Sequence, residues 1–191
     1  EPYLTSDHRR MLETPELVID GLKIVMKLLG LEKGYIGVET NKANAIRAIN
    51  KVKPKNIEVI SLVTKYPQGA EKQLINAVTG KKVPSGGLPS DVGAVVLNID
   101  TVTNISRAFR TGMPAITRIV TMSGDAINKP SNFEVRTGMP IGEVIEAAGG
   151  FKSEPEKVII GGPMMGTAQF NLDVPVIKTT SAILALTKSI H

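Results

Sequence analysis

The residues of this chain best placed to do chemistry lie in Lys65-Tyr66-Pro67-Gln68-Gly69-Ala70-Glu71-Lys72-Gln73-Leu74, where an apolar β-type run at 57–63 gives way to a helical pattern at 70–78. Pro67 keeps Tyr66 out of helical space, and Gly69 predicts a tight turn with close approach of the backbone to a ligand. A strand that ends in Tyr-Pro-x-Gly and feeds a helix is where open α/β sheets place ligands, with free N–H groups facing the crevice. The same stretch also reads as an ordinary βα loop. At 98–101 a side-chain amide and a hydroxyl, Asn98 and Thr101, stand at a strand end, where such groups can serve polar oxygens of a ligand; Thr101 also reads as a helix cap, and capping is the preferred reading of Asp100. Gly161-Gly162-Pro163-Met164-Met165-Gly166 looks like a phosphate loop but lacks its Lys-Ser/Thr, so it is expected to be a turn between strands.

The elements that position these residues follow from periodicity and caps. Thr14-Pro15-Glu16 is a helix start, with Thr as N-cap and Pro at the first helical position, and the helix is expected to stop at Gly30. Residues 35–39 read as a buried strand, Asn41 as the cap of a second helix with Ala45, Ile46, Ile49 and Val52 on one face, and residues 57–63 as the next strand. A Gly- and Pro-rich loop at 80–93 precedes a short strand expected at 94–97, and Asp100 is expected to cap a helix ending at Gly112. This alternation predicts an α/β domain over residues 1–115, with a mostly parallel sheet flanked by helices. After Pro114 the pattern changes to a hairpin (117–122 and 132–136), a short helix (143–148) and a further strand (158–160). That order describes a small β-grasp domain at 116–178. Residues 179–191 read as a C-terminal connecting segment, with 178–187 readable as strand or helix.

The 191 residues suffice for one large domain or two small ones with a real core. No apolar run approaches the ~20 residues of a membrane span, so the piece is expected to be soluble, and no signal peptide is visible in a sequence that begins at Glu1. The absence of Cys excludes disulfides and cysteine-ligated clusters within this stretch, and its two His, His8 and His191, are too far apart in sequence to suggest a metal site. The net charge of +5 is modest. Lys51, Lys53, Lys55, Lys81 and Lys82 lack accompanying aromatics and read as solvated faces, so nucleic acid is not an expected partner.

Four segments occur in a telling order: Glu1-Pro2-Tyr3-Leu4-Thr5-Ser6-Asp7-His8-Arg9, residues 65–74, Gly86-Gly87-Leu88-Pro89-Ser90-Asp91-Val92-Gly93, and Leu97-Asn98-Ile99-Asp100-Thr101. Together they resemble the RnfC family of the Rnf electron transport complex, itself similar to the NADH-oxidising, FMN-binding flavoprotein subunit of respiratory complex I. The resemblance implies a complex I flavoprotein-like domain followed by a soluble-ligand-binding β-grasp domain, in an oxidoreductase that passes electrons between NADH and ferredoxin through FMN and iron–sulfur (4Fe-4S) clusters. It further implies coupling to ion translocation, other complex subunits as partners, and a peripheral place on the cytoplasmic side of a bacterial membrane without direct insertion. The family's glycine-rich phosphate loop would lie before Glu1 and its cysteine motifs after His191. This chain is therefore expected to be the middle of a longer subunit, and by itself to bind FMN weakly and be inactive. Two other readings remain open: a flavin-dependent cobalamin reductase, which shares both domains, and a non-catalytic ligand-binding β-grasp module.

Residue by residue, the resemblance assigns Glu1 to the catalytic site, where a carboxylate orients the nicotinamide carboxamide. It assigns Tyr66, Gly69, Glu71, Asn98 and Thr101 to cofactor binding. Tyr66 offers a flat face and a hydroxyl, and the helix start favours an anionic flavin. Glu71 beside a flavin would oppose reduction, which makes a nucleotide hydroxyl its more sensible partner. Ala70 and Leu97 stand where complex I has the first of two adjacent glutamates and the first of two consecutive asparagines. The β-grasp segment, without His, Cys or Tyr, is expected to mediate contacts through Met139, Met164, Met165 and Phe170 rather than to take part in catalysis.

Overall fold

Two glycines in one short strand set how the α/β part is layered. The computed structural model describes residues 1–188, so His191 lies outside the described residues. In chain order, the first part holds α1 (Ser6–Glu13), α2 (Pro15–Leu28), β1 (Gly34–Glu39), α3 (Ala43–Val52), β2 (Ile57–Leu62), α4 (Glu71–Thr79) and α5 (Ile99–Thr111). β1 and β2 pair in parallel, Gly34 opposite Ile57 through Glu39 opposite Leu62. A Cβ on Gly34 would sit 2.7 Å from Met26 Sδ of α2, and one on Gly37 would sit 2.7 Å from Leu74 Cδ1 of α4. Positions 34 and 37 point to opposite faces of a strand, so the two glycines admit a helix on each face. The core joins Val18, Ile19 and Met26 of α2 to Ile36, Val38, Ala45, Ile49, Ile57 and Val102. α5 comes so close to α2 that a Cβ on Gly21 would lie 1.8 Å from the Val102 carbonyl oxygen.

Several local expectations are corrected here. Thr14 precedes α2, but its hydroxyl donates to the Arg10 carbonyl at 3.2 Å instead of capping α2. Asn41 falls in a 3-10 turn, Thr40–Lys42, ahead of α3, and Asn44 Oδ1 accepts from Ala45 N–H instead. Residues 94–97 form no strand, because the sheet of this unit has two strands only and offers 94–97 no ladder among the described residues. Asp100 does not cap α5; Asn98 does, its Oδ1 accepting from Asp100 N–H at 2.8 Å.

The second part holds β3 (Thr117–Ser123), β4 (Ser131–Arg136), α6 (Ile141–Ala147), β5 (Lys157–Ile160), β6 (Thr167–Gln169) and β7 (Ala182–Leu186). Their order across the sheet is β4-β3-β7-β5-β6, with β3 and β7 parallel and the other neighbours antiparallel. This is the β-grasp arrangement, a hairpin and a helix with the last strand threaded into the middle. The assignment of 179–191 to a connecting segment is therefore corrected, since Ala182–Leu186 is the central strand and all five of its residues are buried. A strand covered on both faces carries no alternation, which is why its type could not be read from pattern. α6 and the face of Val120, Met122, Ile183 and Ala185 enclose the main core. Leu4 packs on the opposite face against Ala182, Leu184 and Leu186.

By contacts the chain divides into His8–Gly112 and a second compact unit made of Glu1–Asp7 with Met113–His191. The first seven residues, expected in the α/β domain, thus cluster with the β-grasp unit. The reason is local to that unit: Thr5 and Ser6 N–H both donate to Thr121 Oγ1, at 3.1 and 3.0 Å, and Leu4 packs on its sheet.

Candidate flavin and nucleotide site

Because β1 and β2 are parallel, both C-terminal ends open on one edge of the sheet, beyond the pair Glu39–Leu62. There the turn at 40–42 and the loop at 63–70 are tied together. The Thr40 and Thr64 hydroxyls lie 3.3 Å apart, and Asn41 N–H donates to Thr64 Oγ1 at 3.3 Å. The loop after β2 folds back on itself, with Gln68 N–H on the Lys65 carbonyl at 2.7 Å and Ala70 N–H on the Pro67 carbonyl at 2.8 Å. The Tyr66–Pro67 peptide is cis. Tyr66 is 51% exposed and Val63 71%, so this edge presents apolar surface to solvent.

Gly69 has no left-handed backbone, and a Cβ there would meet nothing within 4 Å. The tight turn expected at Gly69 is present, closed by the Ala70 N–H on the Pro67 carbonyl, but it needs no left-handed backbone; the glycine leaves open ground beside the start of α4. Glu71 is the first residue of α4, exposed, and no side chain caps this helix. Its leading N–H groups remain available, with the positive end of the helix dipole behind them. An exposed aromatic ring, an uncapped helix start and an open position at Gly69 suit a planar anionic ligand such as a flavin.

Asn98 and Thr101 sit at a different helix start, that of α5, and both are exposed. The Asn98 side-chain Oδ1 serves as the cap, and its backbone carbonyl accepts from Val102 N–H within the first turn. The structure thus gathers Tyr66, Gly69 and Glu71 on one loop and helix start, places Asn98 and Thr101 on a second, and holds Glu1 within the β-grasp unit. Glu1 is not a loose end there: its Oε1 accepts from Met164 N–H at 2.9 Å. Met164, Met165 and Phe170 are exposed, whereas Met139, expected as a contact residue beside them, is half-buried against the β-grasp core. No group of His, Asp or Glu among the described residues could hold a metal ion, and no described helix is long and apolar enough to cross a membrane.

One arrangement escaped the sequence. Arg10 on α1 and Asp100 in the first turn of α5 form a buried ion pair, Nε to Oδ1 at 2.9 Å. Asp100 also accepts from Asn104 Nδ2 at 3.1 Å. An acid at the second position of a helix looks like a dipole partner, and nothing local says that its cation lies 90 residues earlier. The pair anchors the start of α5, and with it Asn98 and Thr101.

A parallel βαβ edge carrying this loop, followed by a β-grasp unit, defines a flavoprotein-type domain pair, and the chain belongs to the Nuo51 FMN-binding domain family, which it matches over residues 1–107. An SLBB domain, the β-grasp of soluble-ligand binding, matches at 119–168. The chain is 55% identical over 190 residues to the C subunit of the Na(+)-translocating ferredoxin:NAD(+) oxidoreductase complex of Acetobacterium woodii, covering 98% of this chain and 43% of that protein. It is 54% identical over 190 residues to the C subunit of the proton-translocating ferredoxin:NAD(+) oxidoreductase complex of Clostridium ljungdahlii, covering 99% of this chain and 42% of that one. To the C subunit of the ion-translocating oxidoreductase complex of Rhodobacter capsulatus the identity is 42% over 190 residues, covering 98% and 37%. The resemblance read from the four segments is borne out, and the chain spans less than half the length of these relatives. The crystal structure of an NAD+-reducing NiFe hydrogenase in the H2-reduced state shares the fold, with a TM-score of 0.81 at 17% identity over 98% of this chain and 38% of that one.

Proposed function

We propose that this chain is the flavin- and nucleotide-handling middle of a subunit that transfers electrons between NADH and ferredoxin within an ion-translocating membrane complex. The observation that carries the reading is 55% identity across 190 residues to a subunit of a complex named for that activity, running through both domains. FMN, when bound, supplies the conversion of a hydride into single electrons, which pass to iron–sulfur clusters held by other parts of the subunit. On this reading Tyr66 stacks against or borders the isoalloxazine ring, Gly69 leaves room for it, and the start of α4 favours its anionic form. Asn98 and Thr101 offer an amide and a hydroxyl to its polar atoms. Glu71 accepts from a nucleotide hydroxyl, and Glu1 from the nicotinamide carboxamide. The subunit lies on the cytoplasmic face of a bacterial membrane, bound to partner subunits and not inserted.

The test is Glu71→Gln in the full-length subunit. Loss of a hydrogen bond to a charged acceptor costs roughly 1.5–3 kcal/mol, so NADH oxidation by an artificial acceptor should fall about 10- to 150-fold in kcat/KM while FMN content is retained. Flavin loss with unchanged NADH kinetics in the remaining holoenzyme would reverse the assignment of Glu71. A full-length protein that takes up no FMN would remove the reading altogether.

A further inference from the structure

We propose that the turn at 161–166 of the β-grasp unit is a positioning element for the Glu1 carboxylate. The proposal rests on the reading above, that Glu1 meets the nicotinamide, and gives the β-grasp unit a part in nucleotide handling that a pure contact module would not have.

The three glycines of the turn do separate jobs. Gly161 takes a left-handed backbone, with φ of 102°. Gly166 closes the turn through its N–H on the Gly162 carbonyl at 2.8 Å, and a Cβ on it would lie 2.5 Å from that oxygen. Gly162 has no left-handed backbone, and what fills the space of its missing side chain is Glu1. A Cβ on Gly162 would lie 2.0 Å from Oε1, 2.2 Å from Cδ and 2.7 Å from Oε2 of that residue. Met164 N–H donates to the same Oε1. The carboxylate therefore occupies a seat made of a vacated side-chain position and one directed N–H.

The chain leading to Glu1 is arranged to reach this seat. Residues 4–6 are pinned to the sheet through Leu4 and the two bonds to Thr121 Oγ1, and Thr5 Oγ1 donates to Asn132 Oδ1 at 3.1 Å. Between the pinned segment and Glu1, Tyr3 adopts φ of 68°, the one non-glycine residue with positive φ among those described. Such a conformation is unfavourable for an aromatic residue and persists only where its surroundings impose it. A carboxylate has two oxygens with about four acceptor sites. Met164 uses one site on Oε1, which leaves Oε2 to accept from a ligand amide in a fixed orientation. Holding a flexible side chain before the ligand arrives removes an ordering cost from binding.

The experiment compares Gly162→Ala, Glu1→Ala and the double variant in the full-length subunit. The added methyl of Gly162→Ala meets the far end of a flexible side chain and an unstrained backbone, so it should displace the carboxylate and leave the turn intact. We expect Gly162→Ala to lower kcat/KM for NADH about tenfold or more, with FMN content, melting temperature and the KM of the artificial acceptor unchanged. In the Glu1→Ala background the same substitution should change kcat/KM less than about twofold, because its target is gone. Glu1→Ala should also speed hydrogen exchange of the Met164 amide, a readout independent of whether Gly162→Ala folds. An equal loss in both backgrounds, a wild-type kcat/KM for Gly162→Ala beside a lowered one for Glu1→Ala, or unaltered exchange at Met164 overturns the positioning role. Unchanged NADH oxidation in Glu1→Ala together with faster exchange at Met164 instead overturns the assignment of Glu1 to the nucleotide, leaving the seat as a structural contact without that purpose.

Discussion

Replacing Asp100 with Ala removes one half of the buried ion pair that holds the start of α5, and the structure allows the consequence to be sized. Arg10 and Asp100 are 5% and 2% exposed, so the guanidinium left behind has little access to water. Arg10 Nη2 is already buried without a hydrogen-bond partner, which means that the Asp100 contact through Nε carries much of the compensation for its charge. At an effective dielectric of about 20 the Coulomb attraction of two charges about 4 Å apart is about 4 kcal/mol, and breaking one side of a buried pair is measured at about 3–5 kcal/mol. Domains of this size are stable by only about 5–15 kcal/mol. The loss is thus about a fifth or more of the total, or a fall of more than about 10 °C in melting temperature for a unit near 100 residues. Urea titration followed by far-UV circular dichroism reads it directly. The paired replacement Arg10→Met with Asp100→Leu should recover most of the stability, since removing both charges leaves no orphan. A loss below about 1 kcal/mol for Asp100→Ala, the scale of an exposed pair, refutes the reasoning, as does a double variant no better than the single one.

Two further outcomes follow from the α2–α5 contact. Asp20 Oδ2 accepts from Ser106 Oγ at 2.6 Å and from Arg110 Nε at 3.0 Å, and the Ser106 hydrogen bond, helped by Arg110 and Lys23 against a burial effect that raises it, holds the carboxyl below its ordinary 3.8. The folded value lies below the unfolded one, so this stabilisation is complete above about pH 4 and is lost as pH falls through the lowered value; the stability gap between the wild type and Asp20→Asn should be constant toward neutrality and close in acid, and a gap unchanged by strong acid counts against it. Gly21→Ala places a methyl 1.8 Å from the Val102 carbonyl oxygen, a clash of backbone with no rotamer to relieve it. It should destabilise by about 1–3 kcal/mol in thermal unfolding, even though Ala is the better helix former by up to about 1 kcal/mol, and a rise in melting temperature would show that the helices can separate freely.

What the amino-acid sequence determined by itself is whatever a few neighbouring residues can encode. The β1–α3–β2 unit, the loop carrying Tyr66, Gly69 and Glu71, the α5 stop at Gly112 and the hairpin of β3 and β4 were legible because period, glycine stops and turn residues act within a few positions. The order of four short segments carried the family. Tertiary structure decided the rest, wherever the partner lies far along the chain. Ala182–Leu186 became the central strand because β3 and β5 lie on either side of it, a fact absent from five apolar residues in a row. Residues 94–97 remained unpaired for the converse reason, a strand pattern without a neighbour to complete its ladder. Asp100, a cap by local rule, was claimed by Arg10, and Glu1 was seated on a turn 163 positions away. Hydrogen-bond donors and buried charges take the partner that folding brings nearest, and sequence distance does not enter that choice.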